Sequence, residues 1–308
     1  MDLFDKKGIK PMLISEQQEP YDDENSIFEL KLDGIRCIAY CDETTDLRNK
    51  RDMKLLPRFP ELKEIHKHCN CKCILDGELI VIKNGVPDFF ELQKRTLLSD
   101  LFKIQLASTT FPASYVAYDI LYYKDKETIH LPLMERKKIL EGVIEETARI
   151  SVSRYVEQSG KLLFELAKQQ KLEGIVGKKK DSLYWFDKRT KHWIKCKLMR
   201  TDDCVVCGYI VKENSMCSLV LGQYNADGQL VYKGHVTLGV SLRILNQMNP
   251  KVIDHCPFGD LPSGNESAVW LSPTLVCIVE SMESDKDSFR QPVFRGFRDD
   301  KAPTECKL

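Results

Sequence analysis

Residues 28–37 have the sequence FELKLDGIRC, which places a lysine inside a strand-like run and follows it with Asp-Gly. Burying a lysine costs free energy unless the ammonium group is paired or takes part in chemistry. Strand alternation predicts Glu29, Lys31 and Asp33 on one face, with the leucines between them on the other. This pattern makes Lys31 a candidate nucleophile.

Gly34 and Arg36 extend the same pattern. The glycine removes a side chain where a bulky ligand could approach the backbone. The arginine carries a forked set of donors suited to phosphate. An exposed polar face ending in an Asp-Gly turn would explain this stretch equally well, so the nucleophile hypothesis depends on other motifs.

Four further stretches place charged or aromatic residues within apolar strands. They are CILDGELIVI with Asp76 and Glu78, YVAYDILYY with Tyr118 and Asp119, LEGIVGKK with Glu173 and Lys178, and HWIKCKL with Lys195 and Lys197. Two carboxylates on a buried strand are costly unless they bind a cation. Together these stretches predict a pocket that holds a metal ion and a polyphosphate.

The composition of the 308 residues is that of a soluble globular protein, with 43% hydrophobic and 30% charged residues. No run approaches 18 apolar residues and the first residues lack a leader pattern, so we expect a cytoplasmic protein without membrane contact. Lys+Arg and Asp+Glu each number 46, and the net charge is zero. A nucleic-acid partner would therefore have to bind a local basic patch.

The twelve cysteines are expected to be reduced thiols. Cys69, Cys71 and Cys73 have CxC spacing, which is poor for a closed zinc site, and Cys204 and Cys207 form a lone CxxC in an apolar run. Both groups are interpreted as packing residues rather than metal ligands.

The pattern of elements changes near residue 199. Before it, strand-like runs at 27–32, 35–41, 74–82, 114–123, 173–178 and 192–197 are mixed with helical patterns at about 59–68, 88–99, 132–148 and 159–170. After it, short strands are separated by turns such as NADG, a hairpin signal. We predict an α+β domain with antiparallel sheets over 1–199 and a five-stranded β-barrel over 200–308.

The order of the motifs resembles the ATP-dependent DNA ligases. The matches are KxDG at 31–34, LDGE at 75–78, aromatic-Asp at 118–119, EGxVxK at 173–178, WxKxK at 193–197, and the tail RQPVFRGFRDDKAP. The tail matches the RxPxFxGxRxDK signature of the ligase OB domain through Arg290, Pro292, Phe294, Gly296, Arg298, Asp300 and Lys301. The resemblance extends over residues 8–303 and includes the barrel of bacterial end-joining ligase modules.

This resemblance implies a nucleotidyltransferase (adenylation) domain followed by an OB-fold domain. It implies a monomeric, nucleoid-associated core ligase that uses ATP and Mg²⁺ or Mn²⁺ to seal nicked double-stranded DNA through a lysyl–AMP intermediate, in DNA repair or end joining. An end-binding protein could recruit it. A GTP-dependent capping guanylyltransferase, an RNA ligase and a non-enzymatic OB-type nucleic-acid binder are the alternatives.

The resemblance also implies a role for each matched residue. The catalytic set is Lys31, Asp33, Arg36, Glu78, Lys195 and Lys197. The ATP-binding set is Glu29, Leu30, Arg48, Tyr118, Val176, Lys178, Arg298, Asp300 and Lys301. The metal ligands are Glu78 and Glu173. Within these sets, Glu29 and the backbone beside the lysine would contact adenine, and Tyr118 and Val176 would enclose its ring. The tail residues would close over ATP and then swing away, with LMRTD (198–202) as the hinge.

Two features near these motifs bear on the interpretation. LRNKRD resembles the family segment that supplies an arginine, but Lys50 replaces the family glycine, so Arg48 is the match and Arg51 the alternative. The stretch 171–200 carries ten Lys/Arg and three Asp/Glu, which favours contact with DNA. The interleaved aromatics Tyr184, Trp185 and Trp193 are expected to pack on sugars or bases.

Overall fold

A computed structural model describes residues 2–17, 19–212, 216–282 and 289–308. The chain divides into two compact units, Met1–Lys197 and Leu198–Leu308. The first unit mixes helices with mainly antiparallel sheets and the second is rich in β-structure, which confirms the predicted fold class. Within the described residues, no helix is long and apolar enough to cross a membrane.

The strands of the first unit are β1 Leu13–Glu16, β2 Asp23–Leu30, β3 Ile35–Cys41, β4 Thr45–Asn49, β5 Cys73–Lys83, β6 Val86–Pro87, β7 Ala113–Tyr123, β8 Lys126–Glu127, β9 Ile150–Val152, β10 Tyr155–Gln158, β11 Gly174–Lys179 and β12 Arg189–Lys197. Its helices are α1 Phe89–Thr96, α2 Leu101–Thr110, α3 Leu133–Val143 and α4 Gly160–Gln169. The second unit contains β13 Met199–Val211, β14 Cys217–Tyr224, β15 Leu230–Val236, α5 Leu242–Asn246, β16 Val269–Met282 and β17 Arg290–Arg298.

Two sheets form the body of the first unit. Sheet 1 has the order β1-β12-β11-β2-β10, and sheet 2 has the order β4-β3-β5-β7-β8. Apolar side chains from the facing sides of both sheets form one core cluster, including Ile27 and Trp193 from sheet 1 and Ile38 and Ile74 from sheet 2. The sheets therefore pack face to face, and polar side chains on those facing sides lie between them.

Helices pack against both sheets. Helix α4 lies so close to sheet 1 that a Cβ on Gly160 would come within 2.4 Å of the Phe28 ring and 2.2 Å of the Tyr21 carbonyl oxygen. Helix α3 packs on sheet 2, where Arg136 forms a fully buried bidentate pair with Asp119, with both N–O distances at 2.8 Å. The aspartate of the Tyr118–Asp119 motif therefore holds a helix in place.

The second unit is built on the sheet order β15-β14-β13-β16-β17. A bridge between Leu238 and Val293, with the Phe294 N–H donating to the Leu238 carbonyl at 2.8 Å, joins the chain after β15 to β17. This link curls the sheet toward closure, as in an OB fold. The NADG sequence forms the predicted hairpin, with Gly228 at φ +74° and the Asn225 N–H donating to the Gln229 carbonyl at 2.9 Å.

Two helix predictions need correction, and one helix was not predicted. Residues 59–68 form short 3₁₀ turns rather than an α-helix, because the prolines at 57 and 60 interrupt helical hydrogen bonding. The helix expected over 132–148 ends at Val143. Helix α2 was not predicted, since Leu101 and Phe102 are 80% and 76% exposed and break the amphipathic pattern. The Asp100 side chain caps this helix by accepting from the Lys103 N–H at 2.8 Å.

Candidate active site

Lys31 lies immediately after the end of β2, at an edge of the space between the sheets. Its Nζ donates to Glu173 Oε2 at 2.7 Å, and its backbone N–H donates to the Gly174 carbonyl at 2.8 Å. The lysine side chain is 20% exposed and that of Glu173 is 6% exposed. Because the strand stops at Leu30, the prediction that strand alternation extends to Asp33 was wrong. The lysine is held at its backbone and at its amine while solvent still reaches it.

Glycines shape the backbone around Lys31. A Cβ on Gly34 would lie 2.3 Å from the Leu79 carbonyl oxygen and 2.8 Å from Glu78 Cγ, so the KxDG loop rests directly on β5. Gly174 has φ +136°, and a Cβ there would lie 2.1 Å from the Cys196 carbonyl oxygen. Both positions require glycine because the backbones approach too closely for a side chain.

Two lysines of β12 join Lys31 in one cluster of charge. Lys195 Nζ lies 2.8 Å from Glu16 Oε2 on the neighbouring strand β1. Burial opposes ionisation of Glu16, but the hydrogen bond from Lys195 and the charges of Lys197 and Lys31 lower its pKa. Burial, together with the charge of Lys195, lowers the pKa of Lys197. The structure therefore brings the lysines of two motifs together, beside an acid that the sequence analysis missed.

Glu78 and Glu173 both act electrostatically on this cluster. Burial raises the pKa of Glu78 to about 8, with Glu173 and Asp76 adding to the increase and Lys31 and Arg36 opposing it. The carboxylate oxygens of Glu78 and Glu173 are the type of ligand that Mg²⁺ and Mn²⁺ prefer. The donor set therefore fits the predicted divalent metal ion.

Arg36 has a different position from the one predicted. Its guanidinium makes a bidentate pair with the fully buried Asp76, at 3.0 and 2.6 Å, and donates to the Met12 carbonyl at 2.6 Å. The Tyr184 hydroxyl donates to the same carboxylate at 2.7 Å. The cation required by Asp76 is thus an arginine, and this arrangement does not support the predicted contact between Arg36 and phosphate.

Glu29 is also engaged within the protein rather than available to adenine. The residue is 2% exposed. Its Oε2 lies 2.9 Å from Lys178 Nζ and accepts from the Ser153 hydroxyl at 3.0 Å. Its Oε1 contacts Lys137 Nζ. Lys137 on α3 was not identified from the sequence. Burial lowers the pKa of Lys178 to about 8, and the charge of Lys137 contributes to the decrease.

Strand register places several other predicted residues on this same inner face. Val176 lies opposite Glu29 on one side and Lys195 on the other, whereas Leu30 pairs with Ile175 and its side chain points to the opposite face. The Tyr118 ring packs edge-on against Trp193 with centroids 6.3 Å apart. Lys178 Nζ lies 4.5 Å from the Tyr118 ring centre and 4.2 Å from the Trp193 ring centre. An ammonium group thus lies at the aromatic surface predicted to receive adenine.

Arg48 on β4 is held at both ends of its guanidinium. Its Nε donates to Asp46 at 2.9 Å and its Nη1 to Asp52 at 2.8 Å. Arg51 lies in the exposed turn that follows, where Asp52 has φ +61°. Of the two alternatives, Arg48 is the arginine that the fold orients.

The predicted tail residues form a compact ion-pair network in the second unit. Arg298 contacts Asp203 at 3.1 and 3.0 Å and Asp300 at 2.9 and 2.6 Å, and Lys301 Nζ lies 2.5 Å from Asp203. The hydrogen bond from Arg298, together with the charge of Lys301, lowers the pKa of Asp300 to about 2. Asp203 was not identified from the sequence, because nothing in its local pattern distinguishes it.

The aromatics of the basic stretch correct another prediction. Tyr184 is 3% exposed and Trp193 is fully buried, so neither is available to bases. Trp185 is 41% exposed, and Lys188 Nζ lies 5.0 Å from its ring centre. Cys204 and Cys207 are buried among apolar side chains, which confirms their interpretation as packing residues.

Family models match both units of the chain. The model described as ATP dependent DNA ligase domain matches residues 11–197, and the model described as ATP dependent DNA ligase C terminal region matches residues 212–301.

Among curated relatives, the chain is 31% identical over 207 residues to the SPbeta prophage-derived DNA ligase-like protein LigB of Bacillus subtilis, covering 67% of this chain and 73% of that protein. It is 29% identical over 318 residues to DNA ligase C of Mycobacterium tuberculosis, covering 91% and 87%. It is also 29% identical to the multifunctional non-homologous end joining protein LigD of Mycolicibacterium smegmatis, covering 97% of this chain but spanning only 39% of LigD.

A solved structure of mycobacterial DNA ligase D complexed with ATP and MES matches with a TM-score of 0.58 and 25% identity, over 99% of both chains. The family models, the relatives and this structural match agree with the motif order and with the clustering of the motif residues around Lys31. The chain therefore belongs to the ATP-dependent DNA ligase family.

Proposed function

We propose that this protein seals 5′-phosphate/3′-hydroxyl nicks in double-stranded DNA with ATP, through a covalent adenylate on Lys31. The supporting observation is that Lys31, Lys195, Lys197 and Glu173, which belong to three separate motifs, form one cluster at the edge of the inter-sheet space. Such a concentration of amines beside carboxylates suits a polyphosphate and its metal ion.

In the first step the neutral Lys31 amine attacks the α-phosphorus of ATP. A nitrogen–phosphorus bond forms, the bond to the pyrophosphate oxygen breaks, and the amine loses a proton. Glu173 Oε2, 2.7 Å from Nζ, is placed to accept that proton. Lys195 and Lys197 hold the departing phosphates by charge.

A Mg²⁺ or Mn²⁺ ion held by Glu78 and Glu173 would neutralise phosphate charge during this transfer. Without a cation, the raised pKa of Glu78 leaves its carboxyl mostly protonated at neutral pH. Ion binding and deprotonation of Glu78 are therefore coupled.

The residues buried in ion pairs act indirectly in this proposal. Glu29 positions Lys178 against the Tyr118 ring, and Arg36 holds the Asp76 carboxylate in place. Tyr118, Val176 and the Leu30 backbone remain the proposed adenine contacts, and Arg48 remains a proposed nucleotide contact.

In the later steps AMP moves from Lys31 to the 5′-phosphate at the nick, and the 3′-hydroxyl then displaces AMP. Arg298, Asp300 and Lys301 serve the first step, when pyrophosphate is released. The names of the LigD relatives support a role in end joining. A monomeric state, nucleoid association and recruitment by an end-binding protein remain predictions.

Labelling with nucleotide tests the proposal directly. The protein is incubated with Mg²⁺ and α-³²P-labelled ATP or GTP and examined on a denaturing gel, with a nicked DNA duplex and a nicked RNA duplex as acceptors. We expect label from ATP only, its loss in Lys31→Ala, its retention in the exposed control Lys63→Ala, and sealing of the DNA nick.

Other outcomes would contradict the proposal. Label from GTP would favour a capping guanylyltransferase, sealing of RNA alone would favour an RNA ligase, and no label would favour a non-enzymatic binder. Retained labelling of Lys31→Ala would mean that another residue is the nucleophile.

A further inference from the structure

Three cysteine sulfurs meet at the end of sheet 2. The Sγ atoms of Cys41, Cys69 and Cys73 all lie within 4.8 Å of one another. Among the described residues, they form the one group of three or more potential His, Cys, Asp or Glu metal ligands at such short separation. The cluster lies outside the ligase motifs. The CxC spacing did not predict it, because the third sulfur comes from Cys41, which is distant in the sequence.

Two of these cysteines are fixed by strand pairing. Cys41 is the last residue of β3 and Cys73 the first of β5, and they lie directly opposite each other in the antiparallel register. Both are fully buried. Cys69 follows the 3₁₀ turn Ile65–His68 and is partly exposed. The backbone thus supplies three sulfurs from three segments of the chain.

We propose that Cys41, Cys69 and Cys73 bind one soft metal ion, with Zn²⁺ as the ion of choice. Tetrahedral Zn²⁺ with bonds of 2.3 Å to sulfur separates the sulfurs by about 3.8 Å, so each pair has to close by at most about 1 Å. Cysteine binds metal ions as the thiolate, so binding releases the protons of the thiols to solvent. Three protein ligands leave a fourth position for a water ligand.

The position of the cluster indicates a structural role. Cys41 lies six residues along β3 from Ile35, roughly 20 Å at 3.3 Å per residue, and Ile35 follows the KxDG loop. A metal ion there would join the ends of β3 and β5 to the segment after the 3₁₀ turn, far from Lys31. We therefore expect it to affect stability rather than adenylate transfer.

Cobalt substitution tests the proposal on the full-length chain. The protein is reduced and stripped with a chelator, then titrated anaerobically with Co²⁺, whose thiolate charge-transfer bands report sulfur ligation, and then with Zn²⁺ as competitor. We expect one equivalent to bind in the wild type and in Cys71→Ser. In Cys69→Ser the affinity should fall by at least about a hundredfold. Cys71 is the matched control because it is also partly exposed, belongs to the same CxCxC run and lies outside the cluster.

A second measurement remains decisive if Cys69→Ser unfolds. Thiol alkylation of the wild type, mapped by mass spectrometry, should be slowed by Zn²⁺ at Cys69 but not at Cys71. Absence of thiolate–Co²⁺ bands, equal Zn²⁺ protection of both cysteines, or equal loss of binding in both variants would overturn the proposal. So would a Cys41–Cys73 disulfide, with no bound metal, in protein purified under reducing conditions.

Discussion

Replacing Glu78 by glutamine provides a quantitative test of the electrostatics at the candidate site. Burial raises the pKa of this carboxyl from 4.5 to about 8. One pKa unit corresponds to about 1.4 kcal/mol, so the folded protein disfavours the ionised form by about 5 kcal/mol relative to the unfolded chain. Because Glu78 is partly exposed, solvent screening reduces this figure, and we expect about 2–3 kcal/mol.

The sign of the pH dependence follows from proton uptake. Between pH 4.5 and 8 the folded state binds more protons at Glu78 than the unfolded state does, so this carboxyl makes the wild type less stable as pH rises. Glu78→Gln removes that penalty. Without metal ions, the variant should unfold at a temperature roughly 5–10 °C higher than the wild type at pH 8–9, and the difference should nearly vanish toward pH 4.5.

The assay is thermal unfolding followed by circular dichroism at a series of pH values in a chelator, and then with Mg²⁺ or Mn²⁺. The exposed Glu127→Gln serves as the matched control and should follow the wild type. Added metal should stabilise the wild type more than Glu78→Gln, because only the wild type can provide a carboxylate at this position. Identical pH profiles for the wild type and Glu78→Gln would refute the burial argument, and equal metal effects would refute the assignment of Glu78 as a ligand.

Three further predictions concern the fold, the tail and the DNA surface. Asp76→Asn leaves the charge of Arg36 uncompensated and should lower the free energy of unfolding, measured in urea, by about 3 kcal/mol. A change below about 1 kcal/mol would contradict the importance of this buried ion pair. Lys301→Ala should slow self-adenylylation by at least about tenfold and spare sealing of a nick that already carries 5′-AMP. Equal loss of both activities would contradict a first-step role. A substitution is preferred to deletion of the tail because residues 290–298 form a barrel strand. The double substitution Lys188→Gln and Lys191→Gln removes two exposed charges. It should reduce the slope of log affinity for nicked DNA against log salt concentration by about 1–2 and spare adenylylation. An unchanged slope would place the DNA-binding surface elsewhere.

Local sequence patterns were sufficient to predict the main strands and the motif residues. The lysines at 31, 178, 195 and 197 and the acid at 173 stand in or directly beside strands whose apolar alternation is readable. The turn chemistry of NADG is equally local. These features depend on neighbours in the chain, so the sequence alone could reveal them.

Partners across long sequence separations were decided by tertiary structure. Arg36 meets Asp76 forty residues away, and Tyr184 reaches the same carboxylate across 108 residues. Local pattern could not show that Arg36 is an internal counter-ion or that Tyr184 belongs to the core. Such pairs follow from the register of strands and the packing of two sheets, where shifting one strand by a single residue would exchange its inward and outward faces.

The cysteines illustrate both limits. Composition and apolar context alone indicated that Cys204 and Cys207 are packing residues, because burial of a small thiol within a strand needs no distant partner. For Cys69 and Cys73 the local sequence could not show the neighbouring third sulfur, since it comes from Cys41 through the antiparallel pairing of β3 with β5. The sequence determined which side chains are available on each strand, and the tertiary structure decided which of them meet, because only folding brings strands that are distant along the chain within bonding distance.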